Sequence, residues 1–373
     1  DHRDLHSLRR RQRQMCIRDR YMIVGEVLQT KPSPLSATLF GRGKIEEIKR
    51  LAEDLDAEVV LVYNNLKSIQ KINLERITKK IIRDRYDVTL EIFAKNAMDA
   101  VSKLQIELAQ IQREIPYIKL IASMLHVKDH PFIRAGGEYA WVAKVTELRK
   151  RMKKIRREIE RYLEDKIRQI LERKEKGFKL ICLVGYYNAG KTTLFNVLTG
   201  ENKPVSDMPF TTLSSKYSKL IGTKEVLLID TIGFIVDLDP RIIKSFELNV
   251  EDMKYSDCLL LVIDASDPQN WFKLKLETAI SMLMKISALG RHKPVIIVLN
   301  KIDQIENPID LESKKIIAKE VVEQLRNVNT RIIEISAKNQ IGIDKLVKII
   351  EAVSYTHLRA HETEADLVCR LLL

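Results

Sequence analysis

The sequence predicts an α/β protein whose larger part is a doubly wound sheet, preceded by a small α/β domain and a long antiparallel helical hairpin. Three observations carry this. Between 177 and 353, short apolar runs alternate with amphipathic helical patterns, the order that builds a mainly parallel sheet covered on both faces. From 95 to 176, two runs of apolar residues stepped by three and four continue far too long for strands. Between 21 and 94, strand-like and helix-like patterns alternate on a smaller scale.

Taken in order, residues 1–20 hold seven Arg and three Asp with no period of either kind, and 354–373 break off from the helix before them. Both stretches resemble translated sequencing-adapter DNA and are read as non-native tails, excluded from fold reasoning as a tag would be. A natural basic tail that binds RNA is the alternative. In the 21–94 domain, Val59 to Val62 is a β-branched run of the buried-strand type, and Ile45, Ile48, Leu51 and Leu55 mark a helix, so a parallel sheet is expected. In the 95–176 region, Val101, Leu104, Leu108, Ile111, Ile115 and Ile118 form the first helix stripe. Val145, Leu148, Met152, Ile155, Ile159, Leu163 and Ile167 form the second. His130-Pro131 and Ala135-Gly136-Gly137 separate them. The 177–353 domain then offers strands at Leu180–Val184, Val226–Ile229, Leu259–Ile263, Val295–Leu299 and Ile332–Ile335. Helices are expected near 191–199, 240–254, 272–289, 311–327 and 343–352.

A chain of 373 residues forms two or three domains, and 45% hydrophobic residues is ample for their cores. The formal charge of +13 suggests an anionic partner, and +10 remains when both tails are set aside. No apolar run approaches the ~20 residues of a membrane span, and no signal peptide pattern is visible. Four scattered cysteines without metal-ligand spacing suit a reducing cytoplasm and argue against zinc. The chain is read as cytoplasmic and monomeric.

Gly185-Tyr186-Tyr187-Asn188-Ala189-Gly190-Lys191-Thr192 fits G-x-x-x-x-G-K-[ST] and lies between a strand and a helix, the context that motif requires. Such a P-loop turns backbone N–H groups around phosphate oxygens and places them at a helix N-terminus. Lys191 would bridge β- and γ-phosphates, and Thr192 would give its hydroxyl oxygen to Mg²⁺, with Thr193 following in the first helical turn. Asp230 ends a strand and would hold Mg²⁺ through water, while the Gly233 N–H could sense a γ-phosphate. Asn300-Lys301-Ile302-Asp303 ends another strand. The Asp303 carboxylate can accept from N1–H and N2–H₂ of guanine, a donor pair adenine lacks. Asn300 would brace the loop, and the Lys301 stem would cover the base. Ser336-Ala337-Lys338 ends the last strand, where the Ala337 N–H could reach the guanine carbonyl. Order, spacing and placement at strand C-termini make this set point to GTP rather than ATP. In Met208-Pro209-Phe210-Thr211-Thr212-Leu213, Thr212, ahead of Thr211, is the residue that would join Mg²⁺ only when a γ-phosphate is present. The fold class is therefore a P-loop GTPase sheet. The catalytic set is Lys191, Thr212 and Gly233; the metal set is Thr192, Thr212 and Asp230.

At these residues the chain resembles the HflX family of ribosome-binding, translation-factor-related GTPases. Gly41-Arg42-Gly43-Lys44-Ile45-Glu46-Glu47-Ile48, Ile92-Phe93-Ala94 and Leu104-Gln105-Ile106-Glu107-Leu108-Ala109-Gln110 extend the resemblance ahead of the GTPase domain. It implies association with the large ribosomal subunit and its rRNA, and rescue or splitting of stalled ribosomes. The loop Ala135 to Ala140 departs from the family's longer glycine-rich stretch, the N-terminal strand is expected to be cut short by the first tail, and no C-terminal domain is expected after Val353. Phe234 stands where many GTPases place a water-orienting glutamine, so slow intrinsic hydrolysis is expected. Asn188 resembles the asparagine of potassium-stimulated GTPases, which would let K⁺ take the part of an arginine finger.

Three functions compete on these residues. The first is a ribosome-associated GTPase using the basic face Arg149, Lys150, Arg151, Lys153, Lys154, Arg156 and Arg157, which Glu147, Glu158 and Glu160 could instead balance as a solvated surface. The second is an RNA-remodelling ATPase acting through Gly41 to Lys44 of the N-terminal domain, where a structural turn is the plainer reading. The third is a module that holds GTP without useful turnover. His126, His130 and His292 show no triad or metal pattern, and Trp141 and Trp271 read as packing residues.

Overall fold

The computed structural model describes residues 21–29, 37–97, 99–126, 137–201, 215–231, 233–234, 247–289, 293–323 and 329–353. The described residues divide into two compact units, one up to 162 and one from 163 onward.

The first unit opens with α1 (Arg42–Asp54), which buries Ile45, Ile48 and Ala52. Strands β1 (Val59–Val62) and β2 (Ile81–Asp84) pair in parallel from Val59↔Ile81 to Val62↔Asp84, with α2 (Ser68–Thr78) between them and α3 (Arg85–Asn96) after. Ile45, Val62, Leu66, Leu74 and Ile82 share one core. Asp84 ends β2 and caps α3: its carboxylate accepts the Asp87 N–H at 2.9 Å, and Asp87 accepts the Asp84 N–H in return. Fully buried, Asp84 also accepts from the Leu66 N–H at 2.8 Å and from the Arg113 guanidinium. Burial, with the Asp87 charge beside it, pushes the Asp84 carboxyl up. Asp87 is half-buried, and the Lys71 ammonium at 2.7 Å and Arg113 draw its carboxyl below the usual value. Arg113 comes from α4 (Ala100–His126), so this cluster ties the small sheet to the first long helix.

Helix α4 packs against α5 (Gly137–Glu175) through Ile111, Ile118, Val145, Leu148, Ile155 and Ile159. With Arg151 paired to Glu107, a parallel arrangement would set His126 and Gly137 about 50 Å apart, more than the ~40 Å that the eleven backbone steps between them can span. A shared core along both helices therefore requires the antiparallel arrangement expected from the sequence. Arg151 closes it with a two-pronged pair to Glu107 at 2.6 and 2.8 Å.

The second unit is built on six strands: β3 (Lys179–Gly185), β4 (Lys216–Lys219), β5 (Val226–Asp230), β6 (Cys258–Asp264), β7 (Val295–Asn300) and β8 (Thr330–Glu334). Their order is β4-β5-β3-β6-β7-β8, parallel except for β4, which runs antiparallel on the β5 edge. Helices α6 (Lys191–Thr199), α7 (Glu247–Tyr255), α8 (Gln269–Lys285), α9 (Pro308–Glu323) and α10 (343–353) accompany the sheet. Central strands β3, β6 and β7 are buried almost throughout, which is why they read as unbroken apolar runs. Lys216-Tyr217-Ser218-Lys219 carries no such run and was not anticipated; it is an edge strand with a lysine at each end. The expected helix 272–289 stops at Lys285, where Ile286 caps it, and 311–327 begins earlier, at Pro308. Among the described residues, no helix is long and apolar enough to cross a membrane.

Candidate functional site

Strand β3 ends at Gly185 with φ +145, and a Cβ there would lie 2.1 Å from the Val262 carbonyl oxygen on β6. Only glycine lets the chain leave the sheet at that point. The loop then turns through Asn188, exposed and left-handed at φ +57, to Gly190 at φ +88, the N-cap of α6. As at any helix start, the first-turn N–H groups of Lys191, Thr192 and Thr193 have no carbonyl partner within the helix. Lys191 is buried, and its ammonium donates to the carbonyls of Tyr186 at 2.7 Å and Gly185 at 3.1 Å. Burial lowers its pKa to about 8, against the opposing pull of Asp230. Thr192 donates its hydroxyl to Asp230 Oδ2 at 3.2 Å, so the two oxygens expected to serve a metal stand together.

Beyond β5 the chain pairs back onto the loop. The Phe234 N–H donates to Gly185 O at 2.8 Å, the Tyr187 N–H to Phe234 O at 3.0 Å, and the Tyr186 and Phe234 rings meet edge to face at 6.3 Å. The Tyr187 amide is thus engaged with Phe234, not turned toward phosphate space as expected for the loop's amides. Gly233 sits between: a Cβ there would lie 2.9 Å from Lys191 Nζ and 3.0 Å from Tyr187 N. Thr231, which the sequence did not single out, donates its hydroxyl to Leu183 O at 2.7 Å and locks β5 to β3. Thr211 and Thr212 lie outside the described residues.

At the other end, Asn300 is buried and does what was expected of it. Its amide donates to Ala189 O at 2.8 Å, and its oxygen accepts the Ala337 N–H at 2.9 Å, so one side chain joins the phosphate loop to the turn after β8. The Ala337 N–H, expected to reach a guanine carbonyl, is here engaged by Asn300. A Cβ on Gly190 would fall 2.2 Å from Asn300 Nδ2, so that glycine also makes room for the brace. Asp303, expected to read the base edge, lies exposed in the short 3-10 turn Ile302–Gln304. Lys301, left-handed at φ +64, pairs with Asp264 at 2.7 Å, a partner the sequence did not reveal. Ser336 is buried and accepts the Asn339 N–H at 3.1 Å, while Lys338 is exposed.

A six-stranded sheet of this order, with a lysine-bearing loop opening into α6 and the Asn300-Lys301-Ile302-Asp303 turn closing β7, makes the second unit a P-loop GTPase domain. Comparison with known proteins narrows the class. A family described as "50S ribosome-binding GTPase" matches residues 180–301, and one described as "GTP-binding GTPase N-terminal" matches 12–94, beginning inside the first tail. The GTPase HflX of Thermococcus kodakarensis is 36% identical over 320 residues, covering 86% of this chain and 71% of that protein. That of Thermofilum pendens is 36% identical over 360 residues, covering 94% and 82%. A crystal structure of SsGBP with GDP aligns with TM-score 0.51 at 29% identity, covering 87% of this chain and 89% of that one. The chain belongs to the GTPase HflX family. It binds guanine nucleotide and hydrolyses GTP.

Proposed function

We propose that this GTPase uses its nucleotide state to switch its association with the large ribosomal subunit, in rescue or splitting of stalled ribosomes. The observation that carries the reading is the basic face of α5. Arg149, Lys150, Arg151, Lys153, Lys154, Arg156 and Arg157 are all exposed. Of the seven, Arg151 alone forms an ion pair among the described residues, and it does so with Glu107 across the hairpin. The acids Glu147, Glu158 and Glu160 leave the other six cations open to rRNA phosphates. The description of the matched family, a 50S ribosome-binding GTPase, agrees with this.

In the nucleotide site, Lys191 would leave its two carbonyls to bridge the β- and γ-phosphates, and the α6 first-turn amides would meet phosphate oxygens. Hard oxygen donors at 3.2 Å, Thr192 and Asp230, fit Mg²⁺, with Thr212 as the third residue assigned to it. When bound, Mg²⁺ offsets charge on the β- and γ-phosphate oxygens. Asp303 would choose guanine, Lys301 would cover it, and Ala337 would exchange Asn300 for the base oxygen. Gly233 would bring its N–H to the γ-phosphate. Phe234 is buried against Tyr186 and its ring cannot hydrogen-bond water, so intrinsic turnover is slow and another group or the ribosome supplies the missing orientation. A K⁺ ion beside Asn188 would stand in for an arginine finger; equal hydrolysis rates in KCl and NaCl would remove it.

The reading takes 21–94 as the N-terminal α/β part, 95–176 as the hairpin and 177–353 as the GTPase domain, in a monomeric cytoplasmic protein. The ATPase alternative finds little support. Gly41 is the N-cap of α1, Gly43 lies in its first turn, and Lys44 pairs with Glu47 at 2.7 Å. Co-sedimentation with ribosomal subunits tests the proposal: large-subunit binding should be stronger with a non-hydrolysable GTP analogue than with GDP. Equal binding in both states would remove the switch.

A further inference from the structure

Lys314 is a lysine with nowhere obvious to be. It projects from α9, is 1% exposed, and belongs to none of the nucleotide-binding motifs. A buried ammonium is costly unless it is paired and hydrogen-bonded, so an aliphatic residue would fill this position with less penalty. Its two partners account for it. The ammonium donates to Asp310 Oδ2 at 2.5 Å on its own helix and to the Ala265 carbonyl at 2.7 Å.

Ala265 lies in the turn that follows β6, and that turn serves the base-reading segment twice. The Ala265 N–H donates to Asn300 O at 2.8 Å, extending the β6–β7 pairing to the residue that braces the phosphate loop. On the side of Lys301, Asp264 Oδ2 accepts the ammonium at 2.7 Å. The other Asp264 oxygen is fixed by the Ser266 N–H at 2.9 Å and the Ser266 hydroxyl at 2.5 Å. Lys275 pairs with Asp267 at the end of the same turn. Ala265 is therefore held on both sides, its N–H by the Asn300 carbonyl and its own carbonyl by Lys314.

We infer that Lys314 is a positioning residue for guanine nucleotide binding: it anchors the Asp264–Asp267 turn, which aims Lys301 and supports Asn300. This rests on the reading of Asn300 to Asp303 as the base site. Lys314 touches no substrate itself, so its removal should weaken nucleotide binding without changing hydrolysis of the bound nucleotide.

The test uses the full chain, with K314M to keep the length and apolar stem, and D264A to remove the Lys301 acceptor at a less buried position. Binding of a fluorescent GDP, thermal unfolding, and kcat and KM for GTP are measured for each and for the double variant. K314M should raise the Kd for GDP roughly tenfold, as expected for loss of a hydrogen bond from a charged donor, and raise KM while kcat stays within about twofold. D264A should weaken binding in the same direction. The two effects should fall short of additive, because both act through one turn. Unchanged affinity in D264A overturns the inference even if K314M does not fold. Unchanged GDP affinity in folded K314M, equal losses in kcat and in affinity, or full additivity overturn it as well. Failure of the base-site reading looks different: D303A would then bind GDP as well as the parent does.

Discussion

At the scale of single residues, the site is governed by side chains that hold the loops in place before nucleotide arrives. Asn300 was legible from the sequence because asparagine at a strand end, followed by Lys-x-Asp, can serve both as brace and as base-reading turn. Asp264 and Lys314 were not legible: an aspartate ending an apolar strand and a lysine inside an amphipathic helix have the spacing of ordinary surface residues, and only the fold brings them together. The partner of the Ala337 amide, Asn300 Oδ1, was not legible because it is 37 residues away in sequence. Two predictions belong here. Burial holds Lys191 near pKa 8, and phosphate oxygens favour its charged form, so bound nucleotide raises that pKa. GDP affinity should hold steady below pH 8 and fall as pH rises above it, because the free protein then presents a neutral amine. Titration between pH 6.5 and 9.5 measures this, and K191A should flatten the slope. Gly190→Ala would force a Cβ to within 2.2 Å of Asn300 Nδ2 at a left-handed φ of +88. It should weaken GDP binding by at least about tenfold, since it breaks a brace worth a buried hydrogen bond.

At the scale of elements, legibility followed burial. Strands β3, β6 and β7 were plain because both faces are covered, and α6 was placed without error at Lys191–Thr199 because the motif fixes its start. The edge strand β4 was invisible: it holds no apolar run, its two lysines are exposed, and Tyr217 and Ser218 are only half-buried. Strand β2 and helix α3 were overlooked for a different reason. Ile81 to Asp84 is too short for a period, and the Asp84–Asp87 capping box, which marks the helix start, uses aspartate where glutamate is usual. The hairpin was legible from its stripe. Ile155 is wholly buried in that stripe, so Ile155→Ala should destabilise the first unit by ~2–4 kcal/mol. Denaturant unfolding measures the loss, and GDP affinity, a property of the other unit, should not change.

For the whole molecule, the surplus of positive charge and the open cations of α5 lead to one expectation. Binding to the large subunit should weaken steeply as salt rises from 50 to 200 mM, with K153E/R157E shallower and weaker, as for any contact dominated by phosphate neutralisation. A salt-independent complex would mean that the basic face of α5 makes no phosphate contacts. All of this presupposes the proposed guanine site, in which the exposed Asp303 carboxylate on the turn after β7 would select the base. Calorimetric titration with GDP and then ADP measures that selection directly. A site built to hydrogen-bond the guanine edge should prefer GDP by at least about a hundredfold; equal affinities for the two nucleotides would contradict the account at its root.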